Sequence, residues 1–292
     1  MRTTSAMLGL VGLAAALVGC GADPATAPPP PTTTVAAPPA LRVGVVGPLQ
    51  LEVKGVAVDH GPLSRVAGDR LVLVSSSAVG TRALAAAAAA HPRSHFALVG
   101  ASAESVRRAN VAGVRFRDPE AALLAGTVAG LAARDASTTA PPTVAWVGPD
   151  APPLVYAFAR GAHAVARGLV VLRHWSTDQP AGCKEAAIAA IMRGATVVAA
   201  RGGLCAEAAA GAAHEQSQMA VSVAGFELRN VASQRIVEEA LAGVYYGGED
   251  IVFGAASGGI GIADLDPAIP PSVVVQAHLA AQRLATGSPP SG

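Results

Sequence analysis

Short apolar runs alternating with alanine-rich stretches are the feature that most restricts the fold of this chain. From Leu41 onward, nine runs rich in Val, Leu and Ile have the length and composition of strands, and helical stretches separate them. The predicted strands are Arg42–Gly47, Leu71–Ser75, Phe96–Gly100, Gly113–Phe116, Thr143–Gly148, Leu169–His174, Thr196–Ala200, Ala220–Ala224 and Ile251–Gly254. Continuous apolar runs are typical of parallel strands covered on both faces. They predict an α/β fold with two parallel sheets.

Helix signals lie between these strands. Asp118, followed by proline, has the residue type preferred at a helix start, and the apolar stretch Ala121–Ala133 comes next. Helices over Pro153–Arg167 and Lys184–Arg193 each end before a glycine, as a left-handed C-cap requires. The polyalanine run Ala85–Ala90 lies between two predicted strands, so we interpret it as a crossover helix.

The N-terminus has the pattern of an export signal. Arg2 supplies a positive charge, and the apolar run Met7–Val18 is too short for a bilayer-spanning helix. The segment Leu17–Cys20 resembles the lipobox of bacterial lipoproteins, in which the cysteine is diacylated and becomes N-terminal. We therefore predict a lipoprotein signal peptide over residues 1–20, with Cys20 as the lipidation site and membrane anchor. An ordinary secretory signal with an incidental cysteine is the alternative, and either one exports the protein.

The next twenty residues and the last five have the composition of unfolded chain. Residues 21–40 are mainly Pro, Ala and Thr, which predicts a disordered, semi-rigid tether. Residues 288–292 are predicted to be a disordered tail. The roughly 250 residues between them are enough for two lobes.

Charge and hydropathy exclude two classes of function. The formal net charge is +1 and the chain has no basic block, so we expect no nucleic-acid partner. Alanine is the most frequent residue in the apolar fraction of 51%, and no later apolar run reaches the roughly 20 residues of a membrane-spanning helix. The folded part is predicted to be soluble.

Two cysteines are placed where they can meet. Cys183 and Cys205 each follow a predicted strand at a helix start, so both belong to the same rim of the second sheet. Export permits oxidation, which favours a disulfide. Two buried thiols, or a metal or nucleophilic role, are the alternatives.

Motifs for catalysis and metal binding are weak. His91 and His95 have helical spacing, but a proline stands between them and no further ligand follows, so a surface turn is the simpler interpretation. Gly100-Ala-Ser102-Ala-Glu lacks the last glycine of a nucleophile elbow, and Gly259-Ile-Gly261 lacks the third glycine of a dinucleotide loop. We therefore predict no enzymatic activity, no cofactor and no metal.

Strand ends supply the candidate binding residues. A glycine loop before a helix N-terminus presents free amides to an anion or a carbonyl, although a tight turn explains the same glycines. Hydroxyls after the second predicted strand suit a cleft loop or merely a polar strand end. An aromatic ring and a carboxylate after the eighth strand are suited to stacking and hydrogen bonding. These candidates are Ser76, Ser77, Arg201, Gly202, Gly203, Phe226 and Glu227.

Several stretches together resemble the basic membrane protein family of bacterial lipoproteins, the purine-nucleoside-receptor type of ABC-transporter substrate-binding protein. They are Val114–Gly126, Val144–Gly148 with Phe158–Gly161, Gly194–Gly203 and Gly247–Ala263. The resemblance implies a type I periplasmic-binding-protein fold, in which two Rossmann-like lobes joined by three crossings clamp a ligand. The expected first lobe is 41–117 with 230–248, and the expected second lobe is 118–229 with 249–287.

The chain departs from the family pattern in its first lobe. Members that bind nucleosides carry an Asp-rich loop after the first strand, whereas this chain has Val46–Gln50 there. Too few residues separate Gly47 from Leu71 for the usual helix-strand-helix passage, so we expect a shortened first lobe. By resemblance, Gln234 or its neighbour Arg235 occupies a family lysine position, and Ser257 lies in a late glycine segment.

The predicted function is capture of a small polar ligand, nucleoside-like by resemblance, between two lobes for an ABC importer. The expected partners are that ligand, a transporter permease and the membrane, on its extracytoplasmic face. The alternative is a non-transport envelope lipoprotein that keeps the fold for sensing or protein interaction. A hydrolase would need a constellation that the sequence lacks.

Overall fold

The computed structural model describes residues 41–138, 140–176, 179–263 and 265–288. The predicted signal peptide with Cys20, the predicted tether 21–40 and residues 289–292 of the predicted tail lie outside these ranges. The chain from Ala40 onward forms a unit of its own, and both sheets belong to it.

Ten strands and eight helices are described. The strands are β1 (Leu41–Val46), β2 (Val56–His60), β3 (Leu71–Ser75), β4 (His95–Val99), β5 (Val111–Phe116), β6 (Thr143–Gly148), β7 (Val170–Trp175), β8 (Val197–Ala200), β9 (Met219–Ser222) and β10 (Asp250–Phe253). The helices are α1 (Leu63–Val66), α2 (Thr81–Ala90), α3 (Asp118–Ala136), α4 (Pro152–Val165), α5 (Pro180–Met192), α6 (Gly203–Glu215), α7 (Arg229–Leu241) and α8 (Pro271–Ala285).

The strands form two parallel sheets, which confirms the predicted α/β class. The first sheet has the order β10-β5-β4-β3-β1-β2, and the second has the order β7-β6-β8-β9. Strand order reverses at β1 and β3 in the first sheet and at β6 and β8 in the second. Open parallel sheets bind ligands outside the carboxyl ends of strands at such a reversal. The topology therefore gives each lobe one place for a ligand.

The strand β10 belongs to the first sheet, which corrects the lobe assignment of Asp250–Phe253 within the range 249–287 that was expected in the second lobe. Its register with β5 runs from Asp250 opposite Gly113 to Phe253 opposite Phe116. The Asp250 carboxylate also accepts a hydrogen bond from the Ala103 amide at 2.7 Å. These contacts come from residues far apart in sequence, so the pattern of β10 alone could not reveal its sheet.

The first lobe is short because one helix is missing between β1 and β2. Residues 47–55 form a loop there, and only the one-turn helix α1 separates β2 from β3. The strand β2 was missed in the sequence because it is an edge strand whose apolar run is only three residues long and ends at Asp59 and His60. In the loop, Leu49 and Leu51 are buried and belong to the main hydrophobic core.

Helices α3 and α4 pack with their backbones in contact. A Cβ on Gly126 of α3 would overlap the carbonyl oxygen of Phe158, and a Cβ on Gly161 of α4 would overlap the carbonyl oxygen of Leu123. Thirteen residues of α3 are buried, most of them alanine, glycine or leucine. Small residues allow this approach, and the Phe158 ring then packs against Trp146 with ring centroids 5.5 Å apart.

The chain crosses between the lobes three times: first between β5 and α3, then between β9 and α7, and last between β10 and α8. The third crossing is hydrogen-bonded to the other two. At the first crossing, the Arg117 amide donates to the Phe253 carbonyl at 2.8 Å, and Glu120 accepts from the Ala255 amide at 2.7 Å. At the second crossing, the Leu228 amide donates to the Gly259 carbonyl at 2.9 Å. The first and second crossings are thus each tied to the third.

The third crossing is also fastened to the edge of the second sheet through Asp266. Its carboxylate accepts hydrogen bonds from the Ala220 amide at 2.7 Å and the Ala268 amide at 2.9 Å, and His214 Nε2 lies 2.8 Å away. Burial opposes the charged form, but these hydrogen bonds outweigh it and hold the pKa of Asp266 below its usual value. None of the helices in the described ranges is long and apolar enough to cross a membrane.

Replacing Gly126 by alanine tests the α3–α4 contact. The added methyl group must displace backbone, so we expect Gly126→Ala to lower the free energy of unfolding by at least about 1–3 kcal/mol. Gly211→Ala on α6 is the matched control, since a Cβ there meets nothing within 4 Å. It should raise stability by about 0.5–1 kcal/mol. Urea denaturation measures both, and equal effects would contradict the close approach.

Candidate functional site

A cavity of ≈ 550 Å³ lies between the carboxyl ends of the two sheets. The first lobe contributes Gly100 after β4 and Phe116 at the end of β5, and the second contributes Asp150 after β6. Residues of the first two crossings complete the wall. The volume is in the range of small-molecule sites. The second-lobe wall follows β6 and β8, at the reversal where the topology predicts a ligand, whereas the first-lobe wall follows β4 and β5 and not the reversal at β1 and β3.

Four of the predicted binding residues line this cavity. Arg201, Gly202 and Gly203 come from the end of β8 and the start of α6, and Glu227 comes from the second crossing. The glycines are required by the backbone, since Gly203 has φ +66° and a Cβ on Gly202 would lie 2.7 Å from the Ala224 Cβ. Helix α6 has no side-chain cap and no acidic residue in its first turn. Its first amides therefore present partial positive charge beside the cavity.

Two ion pairs stand side by side in the cavity wall. Arg201 Nη2 lies 2.9 Å from the Asp118 carboxylate, and Arg229 donates through Nε and Nη2 to Glu227 Oε2 at 3.1 and 2.8 Å. Burial raises the pKa of Glu227 above its usual value, although the charge and hydrogen bonds of Arg229 oppose this. Asp118 starts α3, so its ion pair joins the first crossing to the end of β8 in the second lobe.

A third arginine reaches the cavity from the first lobe. Arg115 of β5 lies 3.4 Å from the Asp250 carboxylate through Nη1. Burial of Asp250 alone would raise its pKa, but the Ala103 amide, Ser102 and Arg115 stabilise the carboxylate and hold its pKa below the usual value. Asp250 therefore contacts Arg115 from the neighbouring strand β10.

Five predicted residues lie elsewhere or are unsuited to their predicted role. Phe226 is only 1% exposed and packs in the core, so the prediction that its ring stacks on a ligand is wrong. Gln234 donates to Glu238 on the exposed face of α7 at 3.2 Å. Ser257 Oγ bonds the Gly254 amide and carbonyl within its own turn. Ser76 and Ser77 follow β3 but do not line the cavity.

Sequence reasoning missed four charged residues of the wall: Arg115, Asp118, Asp150 and Arg229. Only Asp118 carried a signal, which we interpreted as a helix cap, whereas it is the first residue of α3 and binds Arg201. Asp150 is exposed and has no ion-pair partner in the described part of the chain.

The loop after β1 lacks the polar groups of the family pattern. In the segment Val46–Gln50, Leu49 is buried, and the Gln50 amide donates to the Asn230 side chain at 2.9 Å. This loop therefore joins the start of α7 to the core and contributes no residue to the cavity wall. Within the described ranges, no three His, Cys, Asp or Glu side chains are grouped to hold a metal ion.

A disulfide braces the second-lobe wall. Cys183 and Cys205, in the first turns of α5 and α6, are bonded, with Cα atoms 5.3 Å apart. A Cβ on Gly148, at the end of β6, would lie 3.4 Å from the Cys205 sulfur. The bridge therefore touches the strand end before Asp150 and lies two residues beyond Gly203. It ties the start of α6, which borders the cavity, to the start of α5.

The two sheets, three crossings and interlobe cavity define a two-lobed α/β binding protein of the type I periplasmic-binding-protein architecture. The Bmp family model, described as ABC transporter substrate-binding protein PnrA-like, matches residues 68–225, more than half of the chain. The chain belongs to this family of ABC transporter substrate-binding proteins, which confirms the resemblance seen in the sequence. No curated protein matches it in sequence.

Solved structures share the fold at low sequence identity. A solute-binding protein of an ABC transporter system from Conexibacter woesei has a TM-score of 0.56 and 18% identity, over 85% of this chain and 97% of that chain. A solute-binding protein from Aeropyrum pernix has a TM-score of 0.52 and 21% identity, over 86% of this chain and 82% of that chain. A transcriptional activator of the comK gene from Bacillus halodurans has a TM-score of 0.56 and 15% identity, over 85% of this chain and 99% of that chain. Such likeness establishes the fold alone.

Removing the disulfide tests its role as a brace. We expect the double variant Cys183→Ser/Cys205→Ser to lose about 2–5 kcal/mol of unfolding free energy, since the unfolded chain is no longer cross-linked. Guanidinium denaturation with and without reductant measures this loss. The reductant should destabilise the wild type and leave the double variant unchanged. An unchanged wild-type midpoint in verified reduced protein would contradict the account.

Proposed function

We propose that this protein is a lipid-anchored receptor on the extracytoplasmic face of the membrane that captures a small polar molecule for an ABC importer. The observation that carries the proposal is the interlobe cavity, whose wall combines groups from both lobes and from the crossings. Capture needs two walls that approach each other, and the three crossings are suited to a hinge. The protein contributes binding and closure without covalent chemistry.

The anchor part of the proposal rests on the N-terminal sequence. The lipobox-like segment Leu17–Cys20 ends an apolar run, and residues 21–40 supply a Pro-rich spacer between anchor and lobes. A single lipidated cysteine at the start of a tether keeps a receptor beside its permease while leaving the lobes free to move.

The ligand is proposed to be small and polar, and nucleoside-like only by family resemblance. The polar loop that family members use for nucleosides is replaced by an apolar one with Leu49 in the core. A site that loses its hydrogen-bonding groups binds the corresponding ligand far more weakly. The same observation favours the second candidate, an envelope lipoprotein that uses the fold for sensing or protein interaction.

Thermal unfolding of residues 41–292 against nucleosides, sugars, amino acids and organic acids tests capture. A ligand at a hundred times its dissociation constant adds about 2.7 kcal/mol, which raises the midpoint of a domain of this size by roughly 5–10 °C. Asp150→Ala should alter the shift because it removes a wall carboxylate. The shift should fall for a neutral ligand that donates hydrogen bonds to that carboxylate and rise for an anionic ligand. Asp135→Ala, which removes an exposed carboxylate at the end of α3, should leave the shift unchanged. No shift across the panel, from a cooperatively unfolding sample, would favour the second candidate.

Metabolic labelling of the full chain with an alkyne fatty acid in a bacterial host tests the anchor. The wild type should be labelled and sediment with membranes, whereas Cys20→Ser should lose both properties. Cys183→Ser/Cys205→Ser is the matched control, because the chain has three cysteines and this variant keeps only Cys20. Label that persists in Cys20→Ser would overturn the assignment of the anchor.

A further inference from the structure

Three arginines from three separate segments line the interlobe cavity. Arg115 belongs to β5 of the first lobe, Arg201 follows β8 of the second lobe, and Arg229 begins α7 after the second crossing. The three arginines are far apart in sequence, since each belongs to a different element. The fold itself brings three guanidinium groups to one cavity.

Each of these arginines is held by a carboxylate that leaves part of the guanidinium unused. Arg115 uses Nη1 toward Asp250 at 3.4 Å, and Arg201 uses Nη2 toward Asp118 at 2.9 Å. A guanidinium has five N–H donors in a fixed plane, so one anchoring contact orients the remaining donors.

Arg229 shows the same arrangement most clearly. Its Nε and Nη2 both donate to Glu227, and Nη1 has no hydrogen-bond acceptor among the described residues. Gly100 makes room for this group, because a Cβ there would lie 3.4 Å from both Cζ and Nη1. A side chain at position 100 would crowd the guanidinium from the first lobe.

The charge balance of the wall favours an incoming anion. Of the three acidic residues that line the cavity, Asp118 and Glu227 are already paired with Arg201 and Arg229. Asp250, which holds Arg115, is not part of the wall. The uncapped start of α6 adds partial positive charge on the same side as Arg201. Asp150 is the remaining lining acid, and it stands exposed at the start of α4.

We propose that the cavity selects small molecules that carry an oxyanion, which is either a carboxylate or a phosphate. Arg115, Arg201 and Arg229 bind that group. This inference rests on the proposed function and names its class of substrate. An oxyanion contacted by Arg115 of one lobe and Arg201 of the other is bound more tightly when the lobes approach. That difference in affinity is what a ligand needs to drive closure.

Matched pairs of compounds that differ by one anionic group provide the test. The probes are ribose with ribose 5-phosphate, glucose with glucuronate, and uridine with uridine 5′-monophosphate. Titration calorimetry on residues 41–292, which contain both sheets and the cores, gives each dissociation constant at low and high salt. We expect an anionic member to bind at least about tenfold tighter than its neutral partner, with affinity falling as salt rises.

Substitutions assign the preference to the arginines. Arg201→Gln, at an exposed ion pair, should lower the affinity for the anionic member of each pair at least about tenfold and should lower the affinity for the neutral member far less. Because Arg229→Gln alone would leave Glu227 half-buried and unpaired, the double variant Glu227→Gln/Arg229→Gln is used for that site. Arg235→Gln is the matched control, since Arg235 pairs with Glu239 on the exposed face of α7.

The outcomes separate this inference from the proposed function. Tighter anion binding that is lost in Arg201→Gln and kept in Arg235→Gln supports it, and the phosphate and carboxylate pairs show which oxyanion is preferred. Binding of neutral probes with no gain from the anionic group overturns the inference and leaves ligand capture standing. Binding of no probe, and of nothing in the wider panel, overturns capture itself and the inference with it.

Discussion

The backbone contact between α3 and α4 is the constraint on which the second lobe depends. Gly126 and Gly161 let each helix reach the carbonyl oxygens of the other, and no larger residue fits at either position. Because α3 begins directly at the first crossing, its position also fixes Asp118 at the edge of the cavity. The contact that builds the core of one lobe therefore also sets the location of a charged group in the ligand cleft.

Beyond the helix contact, the cleft is organised by ion pairs that connect the crossings to both lobes. Asp118 holds Arg201 at the start of α6, and Glu227 holds Arg229 beside Gly100 of the first lobe. The exposed pair contributes little stability by itself, so its value is orientation of the guanidinium. The disulfide between α5 and α6 restrains the start of α6, which forms part of the second-lobe wall. Together these interactions fix donor positions before a ligand arrives, which lowers the ordering entropy lost on binding.

Sequence reasoning predicted the parts of this fold that local pattern determines. Strands β3 and β6 match the prediction residue for residue, because their apolar runs are continuous and buried. The edge strand β2 has an apolar run of only three residues and was missed. Strand β10 was assigned to the wrong lobe, because its partner β5 is distant in sequence and no local pattern reveals the pairing. In the cleft, the loop Arg201–Gly203 was found from its glycines. Arg115 and Arg229 were not, because only the tertiary structure shows where they converge, and Phe226 was misjudged because its strand end turns into the core.

The most direct test of the account is a crystal structure of residues 41–292 with the tightest-binding anionic probe. The account predicts density in the interlobe cavity, with the oxyanion within hydrogen-bond distance of Arg201 and of at least one of Arg115 and Arg229. Density at another surface, or a probe in the cavity whose oxyanion faces away from these arginines, would contradict it.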